Sequence, residues 1–143
     1  GIHAHAAGFI DFEPELERLL DEVDEKILGI CFDTGHHSYA GFDPVTFMKK
    51  HISRINYMHF KDIDPKIKAS VLANRTGFYD ACGEGIFCNL GDGNVDFPAV
   101  RQLLLDTGFN GWCTVEQDCD PSGNTSPVDD AKLNRTYLQS IGF

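Results

Sequence analysis

The order of apolar and polar positions predicts strand followed by helix, four times over. "GIHAH" (1–5) is a short strand-like piece, and "EPELERLLDEVDEK" (13–26) brings Leu16, Leu19, Leu20 and Val23 to one helical face, with acids and Pro14 in its opening turn. "KILGICFD" (26–33) is apolar without alternation, as a parallel strand covered on both faces requires. Asp43 and Pro44 are a cap and first-turn pair that start a helix over "PVTFMKKHI" (44–52), and "RINYMHFKDI" (54–63) is the third strand. Asp96 caps "FPAVRQLLLDT" (97–107), whose Val100, Leu103 and Leu104 share a face, and Gly108 closes it. "GWCTVEQD" (111–118) is the fourth strand, and "PVDDAKLNRTYLQSIG" (127–142) is a closing helix with Ala131, Leu138 and Ile141 among its apolar positions.

Residues 64–94 are expected to form a long connection, with room for a short helix at "KIKASVLANR" and a glycine-rich stretch, 83–93, that reads either as a lid or as a mobile loop. In "GICFDTGHHSYAG" (29–41), Gly35 is expected to let the backbone turn after the strand. Strands alternating with helices imply parallel pairing, which fits an open doubly wound sheet or part of a (β/α)8 barrel. The placement of chemistry separates the two. His3 and His5 end the first strand, Asp33 and His36 follow the second, His59, Lys61 and Asp62 end the third, and Glu116 and Asp118 end the fourth. Reactive side chains at every strand's C-terminal end favour a barrel, because an open sheet gathers them at one switch point.

The 143 residues, 42% hydrophobic and 24% charged, suit one domain over 1–143 with a real core. A net charge of -10 argues against a nucleic-acid partner. No apolar run is long enough to span a bilayer and no signal-peptide pattern opens the chain, so no membrane partner and a cytoplasmic location are expected. Five cysteines without a CxxC pair suit a reducing compartment. Cys31 and Cys113, inside apolar runs, are expected in the core.

His, Asp, His and Glu form a mixed nitrogen and oxygen donor set suited to Mn2+, Co2+, Zn2+ or Mg2+. Any one of these residues taken alone reads more readily as a cap or a solvated strand exit. Four together are harder to dismiss, since His59 and Glu116 sit in apolar strands where an unpaired polar group is costly.

"FDTGHHSYAGFDP", "INYMHFKDID", "GDGNVDFPAV" and "GFNGWCTVEQDCDP" together resemble the xylose isomerase-like (β/α)8 superfamily of sugar isomerases and epimerases, nearest its inosose dehydratase branch. The resemblance covers the whole chain but supplies about four βα units, the C-terminal half of such a barrel. It implies Asp33, His59 and Glu116 as ligands of a divalent metal, Mn2+ or Co2+ first and Zn2+ or Mg2+ next. A fourth ligand, often glutamate in the family, falls in "GIHAH", where His3 or His5 would serve and His3 is preferred. His36 matches a substrate-contacting histidine, His5 a further substrate contact, and Lys61 a substrate-binding or acid/base group, with pairing to Asp62 as its plain structural alternative. His37 carries no functional expectation.

The activity implied is α-proton abstraction next to a carbonyl with Glu116 as base, followed by loss of water assisted by His36 or Lys61. The substrate would be an inositol-derived ketone (inosose) or a sugar. Return of the proton to carbon instead gives an epimerase or isomerase of the ketose 3-epimerase or hydroxypyruvate isomerase type. A noncatalytic half-barrel subunit stays open as a reading of another class, whereas a metal-dependent endonuclease on a related barrel would need a basic groove. Phe78, Tyr79, Phe87 and Trp112 are candidates for an apolar wall, core packing being their commoner fate. A lone half would expose two sheet edges, so association with the missing half or with itself is expected.

Overall fold

A computed structural model of the chain describes residues 1–120 and 126–143. Four parallel strands, β1 (Ile2–His3), β2 (Ile30–Asp33), β3 (Ile55–Phe60) and β6 (Trp112–Val115), lie side by side in that order. Four helices pack on one side: α1 (Glu13–Glu22), α3 (Pro44–His51), α6 (Phe97–Thr107) and α7 (Pro127–Ser140). Between sheet and helices sits the main core, where Ile30, Phe32, Met58 and Phe60 from the strands meet Leu16, Phe47, Phe97 and Val100 from the helices. Strand periodicity then turns the intervening residues, Cys31, Asp33, Tyr57 and His59, to the opposite face. That face is the concave side, and it carries the polar chemistry.

The caps form as their sequences require. Asp43 accepts from the amides of Val45 and Thr46, and Asp96 from that of Ala99. Gly108 closes α6 at φ +64°, where a side chain would be strained. Both α1 and β2 are shorter than their apolar runs suggest, ending at Glu22 and starting at Ile30.

Two segments depart from expectation more fully. Residues 34–39, read as a turn, form the short helix α2 (Thr34–Tyr39), which Asp33 caps by accepting from the His36 amide at 2.8 Å. Gly35 has no left-handed φ there; what it supplies is room, since a Cβ would stand 2.5 Å from Lys61 Cγ. In 64–94 the short helix expected at 66–75 forms, and the rest of the segment is structured as well. These residues hold α4 (Pro65–Asn74), α5 (Phe78–Gly83) and β5 (Phe87–Cys88), the last antiparallel to β4 (Asp62–Ile63), around a second small core of Ile63, Val71, Ala81, Ile86 and Phe87. The glycine-rich stretch is tied down as well. One oxygen of buried Asp62 accepts from the amides of Gly91 and Gly93, and the other from those of Ile63 and Val95.

The sheet ends in two open edges, at β1 and β6, among the described residues. At the β6 edge Trp112 is 79% exposed and Cys113 is exposed, against its expected place in the core. Among the described residues, no helix is long and apolar enough to cross a membrane.

Candidate metal centre

The register of the parallel strands sets the centre's shape. Asp33 on β2 lies opposite His59 on β3, β1 delivers His3 beside Cys31, and Glu116 follows β6 directly, its amide bonded to the Phe60 carbonyl. One donor atom each from His3, Asp33, His59 and Glu116 lies within 4.8 Å of all the others. His59 Nδ1 stands 2.6 Å from Glu116 Oε2 and 3.5 Å from Asp33 Oδ2, and His3 Nε2 is 3.7 Å from the same Asp33 oxygen. These four atoms, His3 Nε2, Asp33 Oδ2, His59 Nδ1 and Glu116 Oε2, are all buried and make no hydrogen bond. Buried polar atoms are nearly always hydrogen-bonded, so four exceptions around one point fit the demands of a cation that accepts lone pairs. Asp33 serves two ends at once: one oxygen caps α2 and the other faces the cluster.

Electrostatics reinforce the arrangement. Burial opposes ionisation of Asp33, but the imidazoles of His3 and His59 close to its carboxyl, with the Lys61 ammonium beside it, outweigh it and hold the carboxyl well below the usual range. The Asp33 carboxylate 3.5 Å away raises the His59 pKa, with burial opposing and Glu116 adding to the rise.

Lys61, 1% exposed, sits beside the cluster. Its ammonium donates to Asp118 at 2.9 Å and to His36 Nε2 at 3.1 Å, and lies 3.5 Å from both Asp33 and Glu116. Burial works against that charge, but Asp33, Asp118 and Glu116 overcome it and keep the pKa above the ordinary lysine value. Pairing with Asp62 does not occur, because the Asp62 carboxylate is spent on the 91–95 amides. His36 is pushed down to about 3, chiefly by burial and further by Lys61 against the pull of Asp33, so its ring is neutral. With Nε2 accepting from Lys61, the ring proton stands on Nδ1, which is buried and unpaired.

His5 stacks on His36 at 3.7 Å between ring centres and donates from Nδ1 to the Ala6 carbonyl. Phe78 and Phe87 complete an aromatic wall at 5.8 and 5.4 Å from His36, and Phe87 also lies under the Lys61 ammonium. Tyr79 and Trp112 are exposed instead. His37, adjacent in sequence, points away and donates to Glu13 at 3.0 Å. Two neighbours of the centre escaped the sequence reading. Asp118 was visible only as a strand-end acid, and Cys31, taken for core, lies on the concave face with Sγ 3.7 Å from His59 Nε2. The strand's period of two, counted back from Asp33, would have placed it there.

The profile of the xylose isomerase-like TIM barrel family matches residues 1–141. The chain is 33% identical over 137 residues to an inosose dehydratase of Clostridium botulinum, matching 96% of this chain and 46% of that protein. It is 35% identical over 136 residues to the rhizopine catabolism protein MocC of Rhizobium meliloti, with 95% and 41% covered. Among solved structures, the probable 3-DHS dehydratase AsbF of Bacillus anthracis superposes with a TM-score of 0.72 at 24% identity, over 96% of this chain and 48% of that one. The IOLI protein crystallised with a zinc atom gives 0.66 at 16%, over 96% and 46%. The chain thus spans about half the length of the curated relatives it matches, and its open four-stranded sheet is half of a TIM barrel.

Proposed function

The chain belongs to the xylose isomerase-like TIM barrel family, and on that premise we propose that residues 1–143 form, as one unit, the C-terminal half of a metal-dependent dehydratase that removes an α-proton from inosose and expels water. The observation that carries this reading is the convergence on one point of four buried donor atoms that make no hydrogen bond. The substrate class follows the inosose dehydratase relatives. His3, Asp33, His59 and Glu116 are the residues to hold the ion, and two imidazoles with two carboxylates suit Mn2+ or Co2+, with Zn2+ or Mg2+ acceptable. Zinc in the IOLI structure is in keeping with such a donor set. When bound, the ion supplies Lewis acidity toward a ketone oxygen and its neighbouring hydroxyl.

The chain's own residues do the rest. Glu116, its side chain 38% exposed, is the base that reaches the α-proton. His36 binds a substrate hydroxyl through its free Nδ1–H, and the same proton assists departure of water, with Lys61 reloading the ring at Nε2. Lys61 also balances the carboxylates of Asp33, Glu116 and Asp118. His5, Phe78 and Phe87 form the wall against which the substrate lies. The open β1 and β6 edges are to be covered by a matching half-barrel, the missing one or a second copy.

Elemental analysis of the purified protein, then Asp33→Asn and Glu116→Gln in turnover of inosose with added Mn2+ or Co2+ and a complementary half-barrel, tests the proposal. Stoichiometric metal lost in Asp33→Asn, with turnover lost in both, is expected. A protein that retains no divalent ion, or activity indifferent to both changes, would overturn it; turnover of a ketose but not of inosose would make it an epimerase.

A further inference from the structure

His59 presents Nδ1 to the four-donor point, 2.6 Å from Glu116 Oε2 and 3.5 Å from Asp33 Oδ2. A neutral imidazole offers a lone pair from only one nitrogen, so a ring that ligates through Nδ1 must carry its proton on Nε2. That second nitrogen lies 3.7 Å from Cys31 Sγ, within reach of a sulfur hydrogen bond. Cys31 reaches it because it lies two residues before Asp33 on β2, on the concave face, with its backbone opposite Tyr57 in the register of β3. The ring has little freedom to turn away, since His3 and Tyr57 meet it edge-on at 4.7 and 5.6 Å.

We infer that Cys31 is a positioning residue: its sulfur accepts the Nε2–H of His59, fixing the tautomer and the ring plane that turn Nδ1 toward the ion. The inference rests on the metal reading above and extends it to a residue one shell further out. Outer partners of ligating histidines commonly contribute 10–100-fold to metal affinity. A thiol in this position is a weak acceptor, so the effect belongs at the lower end of that range.

Zn2+ binding to the full chain, measured by calorimetry, provides the test. Cys31→Val removes the acceptor while keeping an apolar side chain, one methyl larger, Cys31→Ser keeps an acceptor, and the exposed Cys113→Ala controls for loss of a thiol. About tenfold weaker Zn2+ binding in Cys31→Val is expected, with Cys31→Ser and Cys113→Ala within threefold of the wild type. Nitrogen NMR of the Zn2+-loaded protein should show the His59 proton on Nε2, with the metal on Nδ1. Equal affinity in Cys31→Val, or metal on Nε2, overturns the inference while leaving the metal centre standing. A wild-type chain that takes up no Zn2+ overturns the metal reading and this inference with it. Should Cys31→Val fail to fold, Cys31→Ala takes its place in the same titration, with the same expected and overturning results.

Discussion

Gly35→Ala should destabilise the protein even though it places a better helix former inside a helix. On an open helical face the change would stabilise by about 1 kcal/mol. Here the new Cβ would stand 2.5, 2.7 and 2.9 Å from Cγ, Cβ and Cδ of Lys61. Those are stem atoms, and the stem is pinned at both ends. Thr34 Oγ1 donates to the Lys61 carbonyl and accepts from its amide, while the ammonium is held by Asp118 and His36. Overpacking of this kind costs about 1–3 kcal/mol, and a displaced ammonium forfeits a charged hydrogen bond of about 1.5–3 kcal/mol. Less the propensity gain, the net loss is about 1.5–5 kcal/mol, a fall of about 1–2.5 M in the urea midpoint at an unchanged slope of about 2 kcal/mol per molar. Urea unfolding followed by circular dichroism reads it. Turnover should fall too, because the dislodged group is the one that orders His36 and faces Glu116. A variant as stable as the wild type, or more so, would refute the close-approach account and return Gly35 to an ordinary helix position.

Asp62→Asn should loosen the 91–95 segment, because one of the two side-chain atoms that accept backbone amides becomes a donor facing donors. The loss is about 3 kcal/mol, seen as faster amide hydrogen exchange at Gly91 and Gly93, and unchanged exchange there would refute it. Stability should also fall in mild acid through His37, whose pKa burial depresses from 6.5 to about 4 against the opposing charges of Asp43 and Glu17. Because the unfolded chain protonates first, this contribution is complete above pH 6.5 and is lost as pH drops toward 4, by about 3 kcal/mol. Urea midpoints across that window should fall less steeply for His37→Gln than for the wild type; parallel slopes would refute the assignment.

What the sequence made legible was local. Asp43, Asp96 and Gly108 announce helix ends because a cap and the amides it serves lie within three residues of each other. Asp64 and Pro65 carry the same signal as Asp43 and Pro44 and open α4, the short helix expected there, whereas α5 and β5 in the glycine-rich remainder of 64–94 have no side-chain cap to announce them. Candidate donors were legible at strand ends because the concave face gathers whatever those ends carry. Contacts that depend on distant register were not. The pairings of Lys61 with Asp118 and of Cys31 with His59 join residues 57 and 28 positions apart. Nothing within a single segment distinguishes these partners from a surface acid or a core thiol. Gly35 shows a subtler limit: its presence suggested a turn, whereas the need was for space beside a lysine 26 positions on.

The donor cluster and the substrate pocket make different demands on the barrel, and a half-length chain separates them. His3, Asp33, His59 and Glu116 come from the ends of β1, β2, β3 and β6, four strands that are all present and adjacent in one sheet. Their convergence needs no residue from elsewhere. Under the proposed function, a polyol ketone must by contrast be enclosed on the side opposite His36 and Phe87 to exclude water, and that side faces the open space between the β1 and β6 edges. The isolated chain is therefore expected to bind Mn2+ or Zn2+ and to gain stability from it, about 2.7 kcal/mol at a free concentration one hundred times the dissociation constant. Turnover of inosose should appear only when a complementary half-barrel is supplied. Calorimetry and a dehydration assay on the same preparation distinguish the two demands. If metal binding also requires the added half, the centre is not prebuilt by these four strands; if turnover proceeds without it, the remaining pocket wall is unnecessary.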